Sequence, residues 1–244
     1  MKYAAPADLL RFQHRRWWNA FYQKSFLSIP DGLLQSFYWI QLYKIASASR
    51  AQGPIMATTG PWIEPTPWPS LWNNLNVQLE YWIAYGSNHL ELDPIPRTLG
   101  TAHTQKIMVD ALRPEFQADS MGVRRSTDAQ FDDAGFVGAP GFPSPDPEIG
   151  DLPWLLHNVW LNYRHSMDTR IRDTVLFPTL RKAMNYYLHF LEEKDGKLHL
   201  EPSYSPEYGT APDCNFDLAL IRWSCQTLLT LRPTDPLAPK WRDV

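Results

Sequence analysis

The stretch Trp72-Asn73-Asn74-Leu75-Asn76-Val77-Gln78 sets four amides beside an indole, and far downstream Ser205-Pro206-Glu207 places one carboxyl on a turn. An amide carbonyl oxygen accepts a hydrogen bond from water, while its NH2 donates to hydroxyls. Proline fixes its own φ and biases the residue before it towards extended backbone, so the Glu207 turn is stiff. Tyr204 and Tyr208 flank that acid and are expected to shield it from water. Shielding raises a carboxyl's pKa towards the range in which it can donate a proton near neutrality. Amides, indoles and one isolated acid are the groups that cleaving a glycosidic bond requires. Plainer roles compete: an ordinary turn glutamate for Glu207, and helix capping for Asn74 and Asn76. Helical residues turn by about 100° each, so those two amides serve one pocket only if the chain there is not yet regular helix.

Eleven Trp, eleven Tyr and eleven Phe in 244 residues are the anomaly of the composition. Large rings either fill a wide helical core or present flat faces to sugar C–H groups. Trp62, Trp68, Trp72 and Trp82 border a proline-broken loop, and for them both readings stand. The seven histidines form neither a His-x-x-x-His nor a His-Glu-x-x-His pair, so no metal is expected. Nucleotide-binding glycine loops and a Gly-x-Ser-x-Gly elbow are absent too, and no cofactor is expected. The formal net charge of -3 has no basic concentration, which argues against a nucleic-acid partner. Arg15-Arg16 and Arg124-Arg125 read as isolated, solvated pairs. Cys214 and Cys225 read as reduced structural thiols. No membrane partner is expected, because the most apolar run, residues 33–48, is broken by Gln35, Ser36, Gln41 and Lys44. The first residues lack the apolar centre of a signal peptide, so the expectation is a soluble product of unassigned compartment.

Positioning these groups falls to helices. Apolar spacing predicts helices over residues 6–24 (Leu9, Phe12, Trp17, Phe21, Tyr22) and 31–50, the latter capped by Asp31. A third covers 71–87, with Leu75, Leu79, Trp82 and Ile83 on one face, and a weaker one 100–114. Further helices are expected over 151–166, 168–194 and 214–231, with an irregular tail over 232–244. Pro and Gly make loops of 52–70, 119–151 and 195–213, and the second is too broken for any regular element. The fold class is therefore all-α, built of helical hairpins that close into a superhelix or a toroid.

Residues 71–82 resemble the Asn-x-Asn-x-Gln-x-x-Tyr-Trp signature of glycoside hydrolase family 95, the α-L-fucosidases. Trp17-Trp18, Ser28-Ile29-Pro30-Asp31, Leu42-Tyr43 and Ala46-Ser47-Ala48-Ser49-Arg50 resemble the helices that open that catalytic domain. Leu155-Leu156-His157-Asn158-Val159-Trp160 with Tyr163 resembles its mid-barrel helix, and Pro202-Ser203-Tyr204-Ser205-Pro206-Glu207 its acid motif. The likeness runs in order over residues 12–230. It implies an (α/α)6 toroid and inverting hydrolysis of α-linked L-fucose, or a related sugar, from an oligosaccharide. In that scheme Glu207 is the general acid, and Asn74 and Asn76 hold the attacking water. Trp62, Trp68, Trp72, Trp82, His157 and Tyr204 are the expected sugar contacts. The family's supporting aspartate, which lies in a later helix, has no match here, and the six or seven helices predicted are about half a barrel. An incomplete toroid is the resulting expectation for residues 1–231, and its activity by itself is left open. A carbohydrate-binding protein without turnover and a helical scaffold are the alternatives.

Overall fold

The computed structural model describes residues 6–62, 65–132, 148–206 and 208–244. Helices α1 (Ala7–Tyr22) and α2 (Gly32–Ala48) come first, and the Asp31 carboxylate caps α2 by accepting the Leu33 and Leu34 N–H groups at 2.9 and 3.0 Å. A two-residue strand β1 (Leu71–Trp72) precedes α3 (Asn76–Gly86), followed by α4 (Ile95–Leu99) and α5 (Ala102–Asp110). Strand β2 (Ser126–Thr127) pairs antiparallel with β1, so the proline- and glycine-broken region contains one regular element after all. Helix α6 (Asp151–Ser166) follows, and then α7 (Thr169–Ile171) runs through a π-helical stretch, Arg172–Leu176, into α8 (Phe177–Leu188). Two antiparallel hairpins come next, β3 (Leu191–Lys194) with β4 (Lys197–Leu200) and β5 (Ser203–Ser205) with β6 (Gly209–Ala211). Helices α9 (Asn215–Leu231) and α10 (Ala238–Asp243) end the chain.

The fold is mostly helical, as the sequence predicts, but three boundaries move for identifiable reasons. The helix expected to reach residue 194 stops at Leu188, because Asp195 and Gly196 both adopt positive φ (54° and 73°) and fold the next residues into the β3–β4 hairpin. The third helix starts at Asn76 instead of residue 71, because Leu71 and Trp72 pair with β2. The stretch 232–244 is not irregular throughout: α10 packs on α9 and buries Ala238 and Trp241.

Helix α6 is the centre of the molecule and packs against α3, α4, α8 and α9. Leu152, Leu155, Leu156 and Val159 on it are fully buried. Helix α3 presents the opposite face from the one its apolar spacing suggests. Leu75, Leu79 and Trp82 are largely exposed, and the buried side carries Val77, Gln78, Tyr81, Ala84 and Tyr85. Hydrogen bonding by Tyr81 supports the reversal, since buried polar groups are stable where they find partners. The Met56 N–H donates to the Tyr81 oxygen at 3.0 Å, the Tyr81 hydroxyl lies 3.0 Å from Ser49 Oγ, and Ser49 Oγ donates to the Leu92 carbonyl at 2.8 Å. That relay ties the end of α2 to α3 and to the turn before α4.

The expected apolar stripes of α1 and α2 also face outward in part, with Leu9, Phe12, Leu34 and Phe37 exposed. Helix α1 attaches through its far end, where Phe21 stacks on the buried His89 ring at 3.8 Å.

Replacing Tyr81 by Phe leaves the Met56 N–H without its acceptor and Ser49 without its donor. Urea titration should show a loss of about 1–3 kcal/mol, the range for a buried group left unsatisfied.

Candidate functional site

Asn73 is the pin on which the amide segment turns. It is fully buried, and its Nδ2 donates to the Arg124 carbonyl at 3.0 Å and to Thr127 Oγ1 at 3.1 Å. Its own N–H donates to the Arg125 carbonyl at 2.7 Å, extending the β1–β2 pairing by one residue. The Gln78 amide donates back to the Asn73 carbonyl, and Asn158 of α6 donates to the Gln78 carbonyl at 3.0 Å. The chain at residues 73–75 is thus a fixed turn ahead of α3.

Asn74 stands in that turn and Asn76 is the first helical residue. Neither caps the helix: Leu75 occupies the cap position, and no side chain caps the first turn. The Asn74 amide points elsewhere, with Nδ2 3.4 Å from Glu148 Oε2. The other carboxylate oxygen of Glu148 makes an ion pair with the Arg125 guanidinium. Their side chains are only 8% and 15% exposed, so the pair is largely out of water. Arg125 also lies over the Tyr204 ring, 4.7 Å from its centroid. One charge pair thereby connects the turn before α3, the approach to α6 and strand β5.

This corrects the sequence reading of Arg124-Arg125 as a solvated pair. The paired β1–β2 backbone aims the Arg125 side chain inward, and a short charge pair in a broken region gives no sign of that. Glu148 was missed for the same reason.

Beneath this bridge lies a second acidic layer. Gly150 touches the start of α9 so closely that a Cβ there would stand 2.4 Å from Phe216 Cε1 and 3.0 Å from Asp217 Oδ1. Only glycine permits that approach. Asp217 accepts from the Tyr187 hydroxyl at 2.7 Å and from Ser203 Oγ at 2.6 Å, anchoring the start of β5. Asp151, fully buried, has no hydrogen-bond partner for either oxygen among the described residues. Burial pushes the Asp151 carboxyl well up, against the pull of Arg125 and with the help of Asp217. Burial likewise raises Asp217, opposed by its Ser203 and Tyr187 hydrogen bonds. The beginnings of α3, α6 and α9 meet here, and helix N-termini favour negative charge.

The remaining expected sugar contacts are distributed unevenly. Trp68 and Trp72 meet edge to face at 5.2 Å, and Trp68 is 56% exposed. Trp62, 53% exposed, lies over Gly60, and Trp82 is an exposed residue of α3. His157 faces α9, its ring 5.1 Å from that of Trp223, and burial lowers its pKa. Tyr208 is 95% exposed. Glu207 itself lies outside the described residues, between β5 and β6. A cleft of about 480 Å³ lies along the β3–β4 hairpin, lined by residues including Glu192, His199, Glu201, Pro202 and Asp213.

Glu80 is a further acid that the sequence reading passed over. It follows Asn76 by four residues, hence on the same side of α3, and its Oε2 is buried with no partner among the described residues. Burial pushes its carboxyl from the ordinary 4.5 up to about 8.

The sequence model of the glycosyl hydrolase family 95 catalytic domain matches residues 19–229. No curated protein matches the chain.

Folding favours the proton on Glu80, so its contribution is complete below pH 4.5 and is lost as pH rises through about 8. Replacing Glu80 by Gln should flatten the fall in unfolding free energy between those limits, as read from urea titrations across that range.

Proposed function

The chain belongs to glycosyl hydrolase family 95, and from that premise we propose that it hydrolyses the glycosidic bond of α-linked L-fucose, or a related sugar, in an oligosaccharide, with inversion at the anomeric carbon. Glu207 is the general acid, and Asn74 and Asn76 hold the water. The observation that carries this reading is the bridge from Asn74 through Glu148 and Arg125 to Tyr204. It brings the amide turn and the strand leading to Glu207, far apart in sequence, to one place. Asn74 also stands before regular helix begins, which is the condition for both amides to serve one water.

In this reaction Glu207 gives its proton to the leaving oxygen as the bond to the anomeric carbon breaks. Water adds to that carbon from the opposite face and passes a proton to solvent, from which the Glu207 carboxylate takes one back. Inverting enzymes keep the acid and the water-activating group roughly 6.5–9.5 Å apart to admit the water. The positive charge that develops on the sugar is stabilised by nearby dipoles and negative groups. Trp62, Trp68, Trp72, Trp82, His157 and Tyr204 form the surrounding sugar contacts, of which Trp68 and Trp72 already meet as a pair.

The proposed architecture is a ring of helical hairpins. Helices α3, α6 and α9 pack side by side with their starts together, so they run in one direction, and α8 packs against both α6 and α9 on its way back. That alternation supports the reading of an (α/α)6 toroid.

Replacing Glu207 by Gln should lower turnover of a fucosylated oligosaccharide by about 10²–10⁴-fold, the share of a general acid, while binding by titration calorimetry is kept. Proton NMR of the first product should show the β-anomer. Binding with no turnover by the unaltered protein would instead favour the carbohydrate-binding reading.

A further inference from the structure

We infer that Glu148 is a positioning residue for water activation: it takes the Asn74 NH2 and so turns the amide's carbonyl oxygen towards the attacking water. The inference rests on the hydrolytic reading above and adds a residue that neither the family match nor the sequence motifs assign. A carboxylate only accepts hydrogen bonds, and an amide has one donating and one accepting end. With Nδ2 at 3.4 Å from Glu148 Oε2, the donating end of Asn74 is used and Oδ1 is left as the acceptor. The flipped amide would set oxygen against oxygen beside a carboxylate that is 8% exposed, where little water can relieve the repulsion. Asn74 is therefore held in the orientation that accepts a proton-side contact from water and leaves the water's lone pair for the anomeric carbon.

Each neighbour makes this orientation rigid. Asn73 is locked into the β1–β2 pairing, so the backbone at Asn74 cannot swing. Helix capping does not compete for the amide, because no side chain caps α3. Glu148 cannot rotate away without deserting the Arg125 guanidinium in a poorly solvated place. Arg125 in turn rests on Tyr204, within the strand that leads to Glu207. The water-holding side and the acid side of the reaction are thereby aligned through one ion pair.

The test compares two substrates, an aryl α-L-fucoside and α-L-fucosyl fluoride, the second of which needs no acid because fluoride leaves unaided. Glu148→Gln should lower kcat on both substrates by about 10²-fold, the cost of a misplaced reacting group, with KM little changed. Sodium azide, a nucleophile that needs no activation, should restore turnover to the variant and give the β-fucosyl azide. Loss on the aryl fucoside alone would mean that Glu148 acts through the acid. A rise in KM at constant kcat would make it a sugar contact, and either result overturns the inference.

Glu207→Gln, assayed alongside, should spare the fluoride. If it does not, the assignment of the acid fails while the Glu148 comparison still reads. Should Glu148→Gln fail to fold, the double variant Arg125→Gln with Glu148→Gln removes both buried charges and takes the same assays. Nitrogen-15 NMR gives an arm free of turnover. The Asn74 side-chain NH2 signal, identified by its loss in Asn74→Asp, should shift in Glu148→Gln, and an unmoved signal overturns the contact.

Discussion

A guanidinium and a carboxylate removed from water govern this molecule. Taking two charges out of solvent costs several kcal/mol per ion, and their attraction repays it only when geometry is good and the other hydrogen-bonding positions are filled. Here each ion has one further neighbour: Glu148 has Asn74 at its second oxygen, and Arg125 lies over the face of Tyr204. Removing one member would leave the other buried and uncompensated, at roughly 3–5 kcal/mol. The arrangement therefore constrains three segments at once, and each depends on its own local device. The β1–β2 pair aims Arg125, the approach to α6 supplies Glu148, and the β5 strand supplies the ring.

Around that pair, carboxyls accumulate faster than cations. Asp151 and Asp217 are buried beneath it, where Gly150 lets the start of α6 approach Phe216 and Asp217 at the start of α9. Burial raises the pKa of both acids, and the Asp217 charge adds to the rise at Asp151, so the region carries less negative charge than its composition suggests. Glu80 on α3 behaves alike. Buried acids with raised pKa values are one sign of a functional site. The Tyr187 and Ser203 hydrogen bonds to Asp217 also fix the root of the hairpin around Glu207, so stability and placement come from the same contacts.

Much of this was legible in the sequence, and the failures have causes. Asp31 as a cap, the loop of residues 52–70 and helix α9 all follow from local rules of turn chemistry and spacing. The inward face of α3 does not, because hydrophobic spacing cannot foresee that Gln78 and Tyr81 find internal partners. The turn at Asp195-Gly196 follows from its residues, but the earlier end of α8 at Leu188 does not, because the apolar run before the turn keeps helical spacing. The amide motif was visible, whereas Arg125 and Glu148 carry no local signature. Their partnership depends on pairing between segments 51 or more residues apart.

The π-helical stretch between α7 and α8 carries a historical implication. An i→i+5 turn accommodates one residue more than the α-helical pitch, which is how a single insertion survives inside a helix without disturbing its ends. Here Val175 and Leu176 stay buried while Arg172 and Asp173 remain near the surface, where Asp173 pairs with both Arg172 and Arg232. A sister gene one codon shorter at this point could thus keep the surrounding architecture, and the bulge would mark where two lineages diverged.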